Sequence, residues 1–314
     1  MPGNSAFIKS EKTLAWLSQF RPEDQETAVV ILRAMTLVSR DAFAERLRAL
    51  VLGRLTGGAI PVGLYAEREL RRRNGVPNPL FKQTRTKIKS AFGVGPSPVQ
   101  PTKAYDPEVG SEGLVAQLVS ELCREYPGQF FSHPGPDAIR ANKIRRFALL
   151  TDFIGSGRRA RTYLEAAWRV RSVRSWWSAR RSGGLSFEVL AYAAAPNGRA
   201  RVESHPSEPA VHVVAGCPTV DDAFSGDRRR AVRSLCIRYD PGNHDPVDAF
   251  GYDGVGALIA FAHGVPNNAP RILYKRSTRW TPLFAARITS SARHHFSEDE
   301  KSAAAVEARL LAGC

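Results

Sequence analysis

The stretch Phe147-Ala-Leu-Leu-Thr-Asp-Phe-Ile-Gly-Ser-Gly-Arg-Arg-Ala160 predicts a strand, a tight turn and a helix, in that order. Phe147 to Leu150 form an unbroken apolar run, which is typical of a parallel strand that is buried on both faces. Asp152 marks the carboxyl end of this strand, and helical spacing resumes at Arg158. Because helical and stranded stretches alternate along the chain, we expect an α/β fold with a doubly wound, mainly parallel sheet.

The turn itself carries a candidate phosphate site. Gly155 and Gly157 bracket Ser156, and glycine permits the positive φ angles that let successive backbone N–H groups surround an anion. A phosphate at this turn would also meet the Ser156 hydroxyl and the positive end of the following helix. The alternative is a plain structural turn, because Asp and Gly-x-Gly after an apolar run are common at strand-to-helix junctions.

The segment from Leu149 to Gly157 resembles the phosphoribosyl-pyrophosphate loop of type I phosphoribosyltransferases, in which apolar residues lead into two acids, a spacer, Ser/Thr and Gly. More narrowly, it is similar to the bacterial phosphoribosyltransferase-like domain of conflict (anti-phage) systems, which includes some retron effectors. The resemblance implies that Asp152 holds the ribose hydroxyls, directly or through Mg²⁺. It also implies a set of 5′-phosphate contacts, namely Thr151, Gly155, Ser156, Gly157, Arg158 and Arg159.

The sequence departs from the family pattern at Thr151, where the family has the first of its two acids. Mg²⁺ prefers charged oxygen ligands, so the loss of one carboxylate weakens a hard-cation site at Asp152. Two hypotheses therefore stay open. The chain is either an enzyme that binds phosphoribosyl pyrophosphate or a related nucleotide and cleaves or transfers at ribose C1, or a catalytically silent sensor that binds nucleotide or nucleic acid.

The segment around Arg68 extends the resemblance. Ala59 to Tyr65 predicts an early core strand, and Arg68 follows it where the family has its pyrophosphate loop, so Arg68 would grip a diphosphate with its planar fork of donors. The alternative is that Arg68 belongs to the solvated first turn of a helix. Residues 71–110 are rich in proline and glycine, and we expect a long loop over the active face.

The stretch from Phe250 to Asn268, followed by Trp280-Thr-Pro-Leu-Phe284, is similar to the family's carboxyl-terminal signature, in which a glycine-rich helix precedes His-Gly-x-Pro-Asn-Asn. His263 can transfer a proton near neutral pH, which makes it a candidate catalytic residue. The side-chain amides of Asn267 and Asn268 can contact a base edge or a ribose. The alternatives are a structural histidine and two turn residues.

The remaining pattern predicts the domain organisation. Three short amphipathic helices within residues 1–56 predict an N-terminal helical cap, with a DNA-binding module as the alternative. The phosphoribosyltransferase-like domain is expected over residues 57–290, and a tail with a final helix over residues 291–314. Further strands are predicted at Leu185–Ala195, Ala210–Cys217 and Arg271–Lys275, with a turn at Pro196-Asn197-Gly198.

The net charge of +15 is concentrated in two segments. Residues 68–89 and residues 158–181 each contain eight basic residues against one acid. Clustered positive charge favours a polyanion partner, and we expect a nucleic-acid patch at Arg71, Arg72 and Arg73. With the resemblance, this suggests retron RNA–DNA and a reverse transcriptase as partners. The alternative is a set of solvated arginine faces.

Cysteine usage and hydropathy bound the location of the protein. Its four cysteines are far apart and show no Cys-x-x-Cys pair, which favours a reducing compartment over a disulfide framework or a zinc site. The chain opens on no secretory leader, and no apolar run approaches the roughly 20 residues that span a bilayer. We therefore expect a cytoplasmic protein without a membrane partner.

Overall fold

The computed structural model describes residues 3–56, 60–87, 89–97, 111–242 and 245–284. Within these ranges the strands are β1 (Thr36–Val38), β2 (Val62–Ala66), β3 (Arg72–Arg73), β4 (Val76–Pro77), β5 (Lys82–Gln83), β6 (Ala91–Phe92), β7 (Phe130–Ser132), β8 (Arg146–Ile154), β9 (Ser186–Ala194), β10 (Ala210–Gly216) and β11 (Ile259–Phe261). The helices are α1 (Gly3–Ile8), α2 (Glu11–Leu17), α3 (Pro22–Ala34), α4 (Arg40–Leu55), α5 (Ser111–Glu125), α6 (Pro136–Ala141), α7 (Arg158–Trp168), α8 (Arg171–Ser178), α9 (Pro196–Glu203), α10 (Val220–Ala223), α11 (Gly226–Arg238) and α12 (Arg271–Tyr274).

The central sheet has five strands in the order β10-β9-β8-β2-β7, and every neighbouring pair is parallel. Strand β8 lies in the middle and is buried along almost its whole length, which explains its unbroken apolar pattern. From β2 the chain continues to β7 on one side, whereas the next strand, β8, lies on the other side. The carboxyl ends of β2 and β8 therefore border a topological switch point, where open α/β sheets bind their ligands.

Helices cover both faces of this sheet. Helices α4 and α5 pack on one face, against side chains that include Leu64, Leu150 and Leu190. Helices α6, α7 and α8 pack on the other face, against side chains that include Phe147 and Leu149. Neighbouring residues of β8 thus point to opposite apolar layers. The predicted doubly wound, mainly parallel α/β fold is confirmed.

The N-terminal helices pack in two different apolar clusters. Helices α2 and α3 pack with α11 and with residues 249–283 in a third apolar cluster, where the Trp16 and Trp280 indoles both donate to the Ile272 carbonyl, at 3.2 and 2.8 Å. Helix α4 instead covers the central sheet, and β1 pairs in parallel with β11. The boundaries expected at residues 56 and 290 stay predictions.

The predicted strand at Arg271–Lys275 is wrong, because Arg271–Tyr274 form helix α12. The Arg271 side chain is buried and donates to Asp240 and Asp248, and these ion pairs are compatible with a helical turn that starts after Pro270. The predicted turn at Pro196-Asn197-Gly198 is instead the first turn of α9, where proline occupies a favourable first position.

The glycine-rich segment after Phe250 is not a helix. A short 3₁₀ turn at Asp248–Phe250 precedes it, and the segment itself forms a second 3₁₀ turn at Tyr252–Gly254 and then strand β11. Gly251, Asp253, Gly254 and Gly256 all have positive φ angles, between 61° and 78°, which an α-helix does not accept.

The predicted loop over residues 71–110 contains two small antiparallel hairpins, β3–β4 and β5–β6. Phe81 and Ala91 of this region are buried in the same apolar layer as α7 and α8. Residues 98–110 lie outside the described residues, as do Ala59 at the start of the predicted early strand and the predicted tail from 291 to 314. Among the described helices, none combines the length and apolar character needed to cross a bilayer.

Candidate functional site

A cavity of about 280 Å³ opens at the switch point, beyond the carboxyl ends of β2 and β8. Three segments supply most of its lining: the residues that follow β2, the end of β8 with the start of α7, and a part of the chain near residues 252 and 266–268. Glu112, at the start of α5, also lines the cavity. The sequence placed candidate residues on each of the three segments. The cavity is lined by several of these candidates, namely Arg68, Asp152, Gly155 to Arg159, Asn267 and Asn268.

The Gly-Ser-Gly turn has no room for larger residues. Gly157 has φ +73°, and a Cβ there would lie 2.4 Å from the Gly198 carbonyl oxygen. A Cβ on Gly155 would lie 2.1 Å from the Asn268 side-chain oxygen. These close approaches let the turn pack between α9 and the segment around Asn268 while its other side faces the cavity.

Helix α7 begins at this turn with free backbone donors. Gly157 is its N-cap and supplies no side-chain cap. Within the described part of the chain, the N–H groups of Arg159 and Ala160 find no backbone or side-chain acceptor, whereas the N–H of Arg161 reaches the Gly157 carbonyl at 3.0 Å. Both residues line the cavity, so these donors and the positive helix end are available to an anion.

A buried carboxylate lies beside the Gly-Ser-Gly turn. Glu67, the residue after β2, is 5% exposed, and its Oε2 accepts a 2.5 Å hydrogen bond from the Thr151 hydroxyl. Its other oxygen, Oε1, has no hydrogen-bond donor among the described residues and lies 3.7 Å from Arg159 Nε. Burial raises the pKa of Glu67, while the Arg159 charge and the Thr151 hydrogen bond act in the opposite direction.

Asp152 is backed by His263. The two side chains are buried, and His263 Nε2 lies 3.2 Å from Asp152 Oδ2. The imidazole packs against the rings of Phe43 and Phe261, with both centroids 5.0 Å away. His263 is not one of the described residues that line the cavity, so it lies behind Asp152. This position does not support direct proton transfer to a ligand and favours a role in orienting Asp152.

The end of β2 is held by His133. Its Nε2 accepts a 3.0 Å hydrogen bond from the Ala66 backbone N–H, immediately before Glu67. Burial, together with the nearby Arg68 charge, lowers the pKa of His133 to about 4, so the ring is neutral at pH 7. Arg68 lines the cavity, and its buried Nε has no acceptor among the described residues.

The other two arginines of the site already have carboxylate partners. Arg158 pairs with Asp253 at 2.8 Å, and Arg159 pairs with Glu112 at 2.5 Å. Asp253 also accepts from Arg201 at 2.6 Å. Glu112 and Asp253 were not among the residues predicted from sequence. Their available signals were an acid in the first turn of a helix and the turn-forming Gly-Tyr-Asp-Gly sequence.

The two asparagines have different surroundings. Asn268 is buried and donates to the Tyr252 carbonyl at 2.8 Å, which favours the turn role over contact with a base. Asn267 is exposed and lines the cavity, while its backbone carbonyl accepts from the Tyr252 N–H at 2.7 Å. Asn267 is thus the asparagine available to a ligand.

The predicted patch at Arg71, Arg72 and Arg73 is exposed at β3. Arg72 turns toward the cavity and donates to the Thr162 hydroxyl at 3.0 Å.

The larger basic feature lies elsewhere, where hairpin β5–β6 packs on α8. Ala91 N–H donates to the Ser172 hydroxyl at 2.8 Å, and Arg171 N–H donates to the Gln83 side chain at 3.0 Å. The two basic segments of the sequence thus meet in one place, which we name the hairpin–α8 surface. Its six exposed cations form no ion pair with a described residue: Lys82, Arg85, Lys87, Lys89, Arg171 and Arg174.

The parallel sheet, with its Gly-Ser-Gly turn at the switch point, defines an open α/β protein of the kind that binds ligands at the carboxyl ends of its strands. A family model described as PRTase-CE, a phosphoribosyltransferase-like domain of conflict systems, matches residues 13–285. The chain belongs to this family, which confirms the resemblance seen in the motifs. No curated protein matches the chain.

Proposed function

We propose that this protein binds phosphoribosyl pyrophosphate or a related nucleotide at the switch-point cavity and cleaves or transfers at ribose C1. The observation that carries the proposal is the pair of free N–H donors at the start of α7, which share one cavity with the Asp152 carboxylate. Such a cavity offers an anion site and a sugar site side by side.

Each residue has a defined task in this proposal. The turn from Gly155 to Gly157 and the first N–H groups of α7 hold the 5′-phosphate. Asp152 steadies the ribose as positive charge develops at C1, and His263 keeps that carboxylate in position. Arg68 stabilises the leaving diphosphate with its Nε–H, which finds no acceptor among the residues that the structure describes.

A divalent cation fits this site only with oxygen atoms from the ligand. The carboxylates of Asp152 and Glu67 both line the cavity, but the described residues contain no group of three or more His, Cys, Asp or Glu side chains suited to a metal. Mg²⁺ is commonly held by one or two carboxylates together with substrate phosphates. We propose that Asp152 contributes to such a site, where the cation would neutralise diphosphate charge.

The family membership supports a role in a conflict (anti-phage) system. We propose a cytoplasmic effector of a bacterial antiviral defence system, of the retron type, that depletes or modifies nucleotides when infection is sensed. A reverse transcriptase encoded beside this gene would support the retron assignment. Neighbouring genes without one would count against it.

The hairpin–α8 surface favours a second candidate, a catalytically silent sensor that binds nucleic acid such as retron RNA–DNA. Six cations that form no ion pair within the described ranges suit a phosphate backbone. Binding of a short RNA–DNA duplex should weaken steeply with salt, and Lys82→Glu with Arg171→Glu should weaken it far more than the same changes at Arg71 and Arg73. Equal losses from both pairs would contradict a specific surface.

The two candidates separate in one titration. Calorimetry with phosphoribosyl pyrophosphate, with and without Mg²⁺, should give binding to the natural chain and a loss of at least about tenfold in Asp152→Ala, because a charged hydrogen bond contributes about 1.5–3 kcal/mol. Release of diphosphate or of a free base would identify the enzyme. Binding without any product from a panel of nucleobases and nucleotides would favour the sensor, and no binding would refute the cavity assignment.

A further inference from the structure

The family pattern has an acid at the position where this chain carries Thr151. Strands β2 and β8 are neighbours, and their register pairs Ala66 with Leu150. The next residues, Glu67 and Thr151, therefore lie side by side, and Glu67 N–H donates to the Leu150 carbonyl at 2.8 Å. The Thr151 hydroxyl then reaches Glu67 Oε2 at 2.5 Å. The neighbouring strand thus brings a carboxylate to the place where the loop has a hydroxyl.

The bonding of Glu67 is incomplete in a way that points to a ligand. Glu67 lines the cavity and its side chain is more than nine-tenths buried, yet its buried Oε1 has no hydrogen-bond donor among the described residues. The nearest cation, Arg159, is 3.7 Å away and also pairs with Glu112. A buried carboxylate oxygen without a hydrogen-bond donor costs free energy. A ligand that donates a hydrogen bond to this oxygen would therefore gain binding free energy.

The chemistry of the missing donor is that of a sugar hydroxyl. A phosphate would place negative charge beside Glu67, whereas a vicinal diol presents neutral O–H donors to two neighbouring carboxylates. Burial raises the pKa of Glu67, and the charges of Asp152 and Glu112 add to the rise against the opposing effects of Arg159 and Thr151. A ligand hydroxyl that donates to Oε1 would stabilise the ionised form.

We propose that Glu67 is the second carboxylate of the ribose site, supplied by β2 in place of the acid absent at Thr151, and that it binds a hydroxyl of the ligand's vicinal diol. Thr151 is then a positioning residue that orients Glu67. The proposal rests on the proposed function, since it takes a ribose 5-phosphate group as the ligand.

The test is a carboxylate exchange, with ribose 5-phosphate and inorganic phosphate as the two probes. Glu67→Gln should weaken ribose 5-phosphate binding about 10- to 100-fold, as expected for loss of a charged hydrogen bond, and leave phosphate binding unchanged. Adding Thr151→Asp to that variant returns a carboxylate to the loop and should restore most of the lost affinity. Glu45→Gln, an exposed change on α4, is the matched control.

Thr151→Val gives a second test that keeps the carboxylate, and should cost about 3- to 10-fold in ribose 5-phosphate affinity through loss of one hydrogen bond. Thermal unfolding of each variant checks the fold. Equal ribose 5-phosphate affinity in Glu67→Gln and the natural chain would overturn the assignment of Glu67 alone. Equal losses for both probes would also overturn it, because Glu67 would then only support the turn. Failure of the natural chain to bind either probe would instead sink the proposed function.

Discussion

Replacing His133 with glutamine should change how the stability of the protein depends on pH. The His133 ring is 5% exposed, and its Nε2 accepts from the Ala66 N–H, so protonation would turn an acceptor into a donor that faces a donor. Glutamine carries a side-chain oxygen near the place of Nε2 but does not titrate. The variant thus keeps an acceptor and removes only the ionisation.

The magnitude follows from the pKa. Burial lowers the pKa of His133 from 6.5 to about 4, so the unfolded chain binds a proton between these values and the folded chain does not. The free energy of unfolding should therefore be fully retained above pH 6.5 and fall as the pH drops toward 4. At about 1.4 kcal/mol per pKa unit, the loss attributable to His133 approaches 3 kcal/mol near pH 4.

The assay is urea unfolding of both proteins at several pH values between 4 and 7.5. Burial also lowers the pKa values of His205 and His212, so the natural chain is compared with the variant rather than with a flat line. The gap between the two curves should narrow, or reverse in favour of His133→Gln, by about 3 kcal/mol as the pH falls. Parallel curves over the whole range would refute the assignment of a neutral acceptor.

Two further predictions concern the cavity. Gly157→Ala should destabilise the fold by about 1–3 kcal/mol and abolish phosphate-induced thermal stabilisation, because φ is +73° and the new Cβ would meet the Gly198 carbonyl. Gly53→Ala, in open space on α4, should stabilise by up to about 1 kcal/mol, and equal effects of the two changes would contradict this account. His263→Leu removes the partner of Asp152 and should weaken ribose 5-phosphate binding about 3- to 10-fold, and His263→Gln should weaken it less. Wild-type affinity in His263→Leu would show that His263 does not position the carboxylate.

Part of the site followed from local sequence pattern. Strand β8 and the start of α7 were predictable because burial on both faces and the Gly-Ser-Gly turn are properties of consecutive residues. The convergence of Glu67 and Asp152 agrees with a general rule, since ligand residues of a parallel sheet follow the carboxyl ends of its strands. Residues that the family resemblance selected, among them Arg68, Asp152 and Ser156, line the same cavity.

Other features depended on contacts between distant segments. The segment after Phe250 was expected to be a glycine-rich helix, but positive φ angles at four of its residues produce turns and a short strand. Asn268 was a candidate ligand contact, yet its side chain packs against Gly155 and bonds the Tyr252 carbonyl. Such outcomes depend on which segment occupies the space behind the turn, and no local pattern carries that information.

The amino-acid sequence by itself determined the alternation of helices and strands, the buried central strand and the Gly-Ser-Gly turn, because each arises from hydrophobic spacing and backbone freedom within a few residues. Only the tertiary structure decided that Thr151 pairs with Glu67, that His263 stands behind Asp152 and that the two basic segments meet at α8. Strand order and the packing of helices create these neighbours, and both result from the burial of apolar faces by the whole chain.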